Sequence, residues 1–308
     1  MPRMKVSATR GAGAAMALVL AACNPSPYRE VSLNLELEQT AKKAEAPARQ
    51  PQAFRISVAS MESARDTFGD YSHLFEEVGR RLGVEVDFVQ RRTYGEVNDL
   101  LVEGGVDAAL ICTGGYADIA RRAPGSVEVL AVPVVKGMNT YQSLIVVPTA
   151  SPAQTLLDLG GKRFAFTDEL SLTGRGYVLH VLASMGKDPE RFFGSTIYTY
   201  GHDRSVTAVA RGLVDGAAIH SIIFDHQLTH DPSLAERVRI IHRSPPFGMT
   251  PVVASTRLSV AQRSRLREIL LRLDQDPQGA AALLAVHIDR FSPAPPGLFD
   301  SSLKLLER

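Results

Sequence analysis

Ser171, Thr173 and Gly174 stand together in a polar break between two apolar stretches. Upstream, Phe164-Ala165-Phe166 has the composition of a short buried strand, and downstream the apolar residues at 178, 179 and 182 repeat at helical spacing. A hydroxyl at such a helix start accepts a hydrogen bond from the unpaired amides of the first turn, which is an ordinary N-cap. The same amides, at the positive end of the helix, also receive an oxyanion, with the hydroxyls donating to it. These residue types fit both uses. A second break, Cys112-Thr113-Gly114-Gly115-Tyr116, follows the apolar run 106–111, and a third, Gly201-His202-Asp203, follows 197–200. The chain has two cysteines. If Cys23 is engaged elsewhere, Cys112 is a lone thiol, either packed as a small hydrophobe or open to chemistry.

The histidines raise a different chemistry. His202, His220, His226 and His230 fall in one stretch, and the i, i+4 spacing of His226 and His230 puts two imidazoles on one helix face, as metal ligands require. Thr229-His230-Asp231-Pro232 reads as a helix end, and no Glu or Cys completes a ligand set. The pattern therefore predicts solvated surface histidines and no metal. No Walker loop, Gly-x-Ser-x-Gly elbow or His-Glu-x-x-His motif occurs, so an enzyme is not expected, and no cofactor is called for.

The elements that must position these breaks follow from periodicity. Alternation over 54–59 and 84–89 and the apolar run 106–111 predict strands. Apolar residues at 71, 74, 75, 78 and 82, and at 94, 97, 100 and 101, predict helices between them. The second half repeats this order, with strands expected at 141–147, 164–166, 197–200, 217–220, 238–242 and 251–254. Helices are expected from the 171–174 break to about 185, at 205–211 and over 258–274. Alternation of this kind indicates parallel sheets with helices on both faces. Ligands of such sheets bind beyond the C-terminal ends of the strands, and the breaks at 112–116 and 168–174 both fall at such positions.

Thirty-four basic against thirty-three acidic residues leave a formal charge of +1, without the basic surplus of a nucleic-acid binder. The absence of tryptophan argues against an aromatic cage for sugars. At the N-terminus, Arg3, Lys5 and Arg10 precede a short run of small and apolar residues and then Leu20-Ala21-Ala22-Cys23, the layout of an export signal. With cysteine directly after the small pair it resembles a bacterial lipoprotein signal, which implies a lipid on Cys23 after removal of residues 1–22. Residues 23–53, rich in Ala, Pro, Glu, Lys and Gln, read as a flexible tether.

From about Phe54 to Leu306 the chain resembles the periplasmic substrate-binding proteins of phosphate-, phosphite- and phosphonate-type ABC importers. The resemblance rests on an ordered set. Tyr94-Gly95-Glu96-Val97 precedes Gly105-Val106-Asp107, and the loop with Gly114 and Tyr116 follows. Then come Ser171-Leu172-Thr173-Gly174, Gly201-His202 before Ser205-Val206, Gly212-Leu213-Val214-Asp215-Gly216, and Ser244-Pro245-Pro246. It implies an α/β, two-lobed periplasmic-binding-protein fold of the type II-like kind, with a cleft between two doubly wound lobes. Lobe 1 would take 54–137 and 250–308, and lobe 2 would take 138–249. The implied ligand is a small phosphorus-type oxyanion held by Tyr94, Thr113, Gly114, Ser171, Thr173, the amide of Gly174 and His202, with Asp225 accepting a proton from a partly protonated ligand. The implied partner is a membrane permease. Two departures stand out: Leu172 interrupts the hydroxyl-rich loop, and Cys112-Thr113-Gly114-Gly115 replaces a Gly-Pro turn. At Cys112 the chain also resembles periplasmic arsenite-binding sensors that signal to a histidine kinase, which implies sulfur ligation by Cys112 as the alternative.

Overall fold

The computed structural model describes residues 53–59, 61 and 64–307. The expected signal, Cys23 and all but the last residue of the expected tether lie outside the described residues. From the N-terminus, β1 (Phe54–Val58), α1 (Ala64–Leu82), β2 (Val86–Val89), α2 (Tyr94–Glu103), β3 (Ala108–Leu110), α3 (Thr113–Arg122) and β4 (Val127–Val134) alternate. Next come β5 (Thr140–Tyr141), β6 (Ser143–Pro148), β7 (Arg163–Phe166), a π turn over Leu172–Gly176, α4 (Tyr177–Ser184), β8 (Ser195–Tyr198) and α5 (His202–Ala210). They are followed by β9 (Gly216–His220), α6 (Ser221–His230), α7 (Leu234–Arg237) and β10 (Val238–Arg243). The chain closes with β11 (Phe247–Gly248), β12 (Val252–Ser255), α8 (Val260–Leu270), α9 (Pro277–Ala285), β13 (Arg290–Ser292) and α10 (Asp300–Leu306).

Local chemistry sets the boundaries that matter for the site. Thr93 caps α2, and Glu96 reaches back to the Thr93 amide at 2.8 Å, a complete capping box that starts the helix at Tyr94. Val97 and Leu101 bury the inner face of α2, and Gly104 closes it at φ 81°, a conformation glycine adopts without strain. The helix expected over 258–274 instead stops at Leu270. After a 3₁₀ turn, Asp276 caps a new helix by accepting from the Gln278 and Gly279 amides, with Pro277 at the first position. The break carries the chain into α9 and the edge strand β13, neither of which the periodicity shows.

Two sheets result. A six-stranded sheet runs β13-β4-β12-β3-β1-β2 and a five-stranded sheet runs β10-β6-β9-β7-β8. Each has a parallel part, β2-β1-β3 and β8-β7-β9, as the helix–strand alternation predicts. Neither is parallel throughout, because β12 is antiparallel to β3 and β4, and β6 is antiparallel to β9. The reason is topological. The chain crosses from one sheet to the other after β4 and returns after β10, and neither crossing passes through the helix that a parallel connection needs. The two crossings pair with each other as the β5–β11 ribbon, with Phe247 opposite Tyr141. Central strands β6, β9 and β12 are apolar along nearly their whole length because both sheet faces are covered. Among the described residues, no helix is long and apolar enough to cross a membrane.

Candidate functional site

Helix starts from both sheets carry the candidate side chains. Tyr94 opens α2 after β2, Thr113 opens α3 after β3, and His202 opens α5 after β8, while Thr173 sits in the π turn after β7. His220, the last residue of β9, is the N-cap of α6: its Nδ1 accepts the Ile222 amide at 3.1 Å. Each position brings a side chain to the amide-rich, positive end of a helix or helical turn. Tyr141 joins them from the β5 crossing and stacks on the His220 ring at 4.1 Å.

Four polar atoms in this region are buried without a hydrogen-bond partner: Tyr94 Oη, Tyr141 Oη, Thr173 Oγ1 and His220 Nε2. Several contacts place them together. The Tyr141 hydroxyl approaches Thr113 and Cys112 without making a hydrogen bond of ordinary geometry. Tyr94 lies within electrostatic reach of Tyr141, Cys112 and Asp168. Ser143 pairs with His220 in the sheet and donates to the Thr173 carbonyl at 2.6 Å. Because His220 Nδ1 accepts an amide proton, its own proton is on Nε2, so the unpartnered nitrogen is a donor. Burial holds the imidazole neutral, its pKa pushed well down, with nearby His202 adding to the effect. Burial likewise holds both tyrosines protonated. Four neutral donors therefore stand in one neighbourhood with nothing to accept from them, an arrangement native interiors rarely keep without use.

The remaining expected site residues have partners. Ser171 acts as the cap, accepting the Gly174 amide at 3.0 Å, so that amide is already used. Thr113 Oγ1 donates to Gly248 O in the crossing ribbon at 2.9 Å. His202 Nδ1 accepts the His220 amide at 3.1 Å and lies 3.0 Å from Thr167 Oγ1, and burial lowers its pKa to about 3. Gly114 presses on the loop after β7: a Cβ there would lie 2.1 Å from Leu170 O. Cys112 lies in the same seam, its Sγ 4.0 Å from Leu170 O, with the Leu172, Gly114 and Gly115 amides turned toward the sulfur and burial raising its pKa. Leu172 is fully buried in the same core as Tyr94, Cys112 and Tyr141, which accounts for an apolar residue between two hydroxyls.

Sequence reasoning missed Asp168, which clasps the two sheets. Its Oδ2 accepts the Tyr94 amide at 3.0 Å and its Oδ1 the Leu170 amide at 2.8 Å, while burial raises its pKa to about 6. Tyr141 was legible only as a strand residue. His220 carried the one usable signal, a strand end followed directly by a helix start, the same pattern that the sequence shows near Cys112 and His202. The expectation of solvated histidines fails for His202 and His220, which are 1% and 3% exposed because the strand ends that carry them are covered on both sides. Asp225, expected to accept a proton from the ligand, is instead engaged by a cation. It sits half-buried on α6, where Lys136 Nζ pairs with it at 2.9 Å. The ligand set judged incomplete at His226 and His230 gains a third imidazole, His287, from a distant part of the chain.

The profile of a family described as "ABC transporter, phosphonate, periplasmic substrate-binding protein" matches residues 56–296. The chain belongs to this family. A curated relative, the phosphate-import protein PhnD of Mycolicibacterium smegmatis, is 25% identical over 185 residues, and the match spans 57% of each chain. The chain thus spans little more than half the length of that relative. Among solved structures, the binding protein component of an ABC phosphonate transporter from Pseudomonas aeruginosa aligns with a TM-score of 0.75 at 20% identity, over 83% of this chain and 86% of that one. PhnD1 from Prochlorococcus marinus, in complex with methylphosphonate, aligns with a TM-score of 0.72 at 18% identity, over 83% and 97%. These likenesses establish the two-lobed α/β fold of periplasmic binding proteins.

Proposed function

We propose that the chain is a periplasmic solute-binding protein that captures a small phosphorus-type oxyanion (phosphate, phosphite or a phosphonate) between its two sheets and delivers it to the permease of an ABC importer. The observation that carries this reading is the set of four buried, unpartnered neutral donors: Tyr94, Thr173 and His220 at the starts of helices or helical turns, and Tyr141 on the β5 crossing. A tetrahedral oxyanion presents acceptors in several directions, and helix ends supply positive potential without a cation. Asp168, with its raised pKa, lies within electrostatic reach of the Tyr94 hydroxyl, as does Asp203. An acceptor here favours a ligand that keeps a proton to donate, the role that the family resemblance implies for Asp225. The β5–β11 ribbon would be the hinge, with 54–137 and 250–308 moving against 138–249. A lipid on Cys23 and the 23–53 tether would hold the domain at the membrane. Sulfur ligation of arsenite draws no comparable support, because Cys112 is packed in the seam and kept as a thiol by burial.

Thermal unfolding of the chain with phosphate, phosphite, methylphosphonate, sulfate and arsenite tests this, repeated with Cys112→Ser. A ligand at 100 times its dissociation constant adds about 2.7 kcal/mol. The reading expects a phosphorus oxyanion to shift both proteins equally. A shift with arsenite alone, lost in Cys112→Ser, would overturn it in favour of the sensor.

A further inference from the structure

His226, His230 and His287 are not among the four donors, and one nitrogen of each falls within 4.8 Å of the others. His226 and His230 occupy adjacent turns at the end of α6, their rings 4.3 Å apart and nearly perpendicular. His287 comes from the turn between α9 and β13, with its ring 4.0 Å from that of His226. We propose that these three imidazoles form a binding site for a borderline divalent cation such as Zn²⁺, tying α6 of the five-stranded sheet to the α9–β13 turn of the six-stranded sheet.

Three observations support the site. Imidazole nitrogen binds Zn²⁺ at about 2.0–2.1 Å, so three nitrogens already this close need only side-chain rotation to meet on one ion. His230 Nδ1 lies 3.1 Å from the His226 carbonyl, which can only accept. The His230 proton is therefore on Nδ1, and Nε2 presents a lone pair, the outer-shell arrangement that orients metal-bound histidines. His287 has φ 55°, a left-handed conformation that a non-glycine residue keeps only when its surroundings require it, and strain of this kind gathers at functional positions. Three imidazoles leave a coordination position for water or a further donor, and imidazole favours Zn²⁺, Ni²⁺ and Cu²⁺ over Mg²⁺ or Ca²⁺. The site does not depend on which anion the cleft takes. Because it spans both sheets, the cation would favour their closed arrangement.

The test uses untagged chain, metal-free, titrated with Co²⁺ as a spectroscopic probe and with Zn²⁺ by calorimetry. One Co²⁺ per chain with visible ligand-field bands is expected, displaced by Zn²⁺. His230→Ala and His287→Asn should each weaken binding at least tenfold, the loss that even outer-shell substitutions bring. Asparagine tolerates the left-handed backbone at 287, so the metal-free variants should melt as the parent does. Absence of saturable Co²⁺ binding in the parent would overturn the site. Binding that persists unchanged in His287→Asn would overturn the link between the two sheets.

Discussion

Replacing Tyr94 with phenylalanine separates a ligand-binding hydroxyl from a structural one. The Tyr94 ring is packed in the larger core with Cys112, Tyr141 and Leu172, and phenylalanine keeps that packing. The hydroxyl has no hydrogen-bond partner in the structure, so its removal breaks no bond in the unliganded protein. A buried polar group without a partner is unfavourable by about 1–3 kcal/mol, so losing it leaves stability unchanged or raises it. For a domain of this size about 1 kcal/mol moves the melting temperature by roughly 2–4 °C. The liganded protein should respond in the opposite direction. A hydrogen bond to a charged group contributes about 1.5–3 kcal/mol, and at about 1.4 kcal/mol per tenfold its loss weakens oxyanion binding by roughly 10- to 150-fold. Calorimetry measures the affinity for phosphate or methylphosphonate, and differential scanning calorimetry measures the unliganded melt. A variant that melts several degrees lower while binding as tightly as the parent would refute the reasoning, since the hydroxyl would then be structural.

Gly114→Ala should impair closure, because the added Cβ would sit 2.1 Å from Leu170 O across the seam. Small-angle scattering should show the ligand-induced compaction reduced, with affinity at least about tenfold weaker, the energy of a modest overpacking. Cys112→Ser places a more polar group in a packed seam, and should lower the melting temperature by a few degrees while leaving the choice among oxyanions unchanged in competition calorimetry. The pH dependence of Asp168→Asn tests the clasp. A carboxyl at about 6 when folded and 3.8 when unfolded binds its proton more tightly in the fold, so its contribution to stability grows as pH falls through 6 and is complete below about 4. That contribution, up to about 3 kcal/mol, should be missing from the variant when urea unfolding is compared between pH 7 and 4. The parent itself should lose stability over the same range. His202, at about 3 when folded, and His220, also depressed, stay neutral while the unfolded chain protonates below about 6.5.

Repeating strand, polar break and helix made the α/β architecture and most of the helix starts legible, because those depend on local periodicity and capping. The capping box at Thr93 and Glu96 is written in four consecutive residues. The antiparallel strands were not legible, because β12 and β6 take their direction from the two crossings between sheets rather than from their own composition. The site divided along the same line. Thr173 and Tyr94 lie at helix starts that could be read locally. Tyr141 lies on a crossing strand and Asp168 binds an amide from the other sheet, and only the assembled fold brings these to the cluster. Ser171 and Thr173 show the limit most plainly. Their residue types are nearly equivalent, yet one hydroxyl caps the turn and the other is left to donate. His287 is separated from His226 by most of the C-terminal segment, so the third imidazole was beyond any reading of spacing.

The most direct test of the account is a crystal structure of the protein with methylphosphonate or phosphate in the cleft. The account expects ligand oxygens within hydrogen-bonding distance, about 2.6–3.2 Å, of Tyr94 Oη, Tyr141 Oη, Thr173 Oγ1 and His220 Nε2. A ligand bound elsewhere, with those four atoms still unpaired, would contradict it.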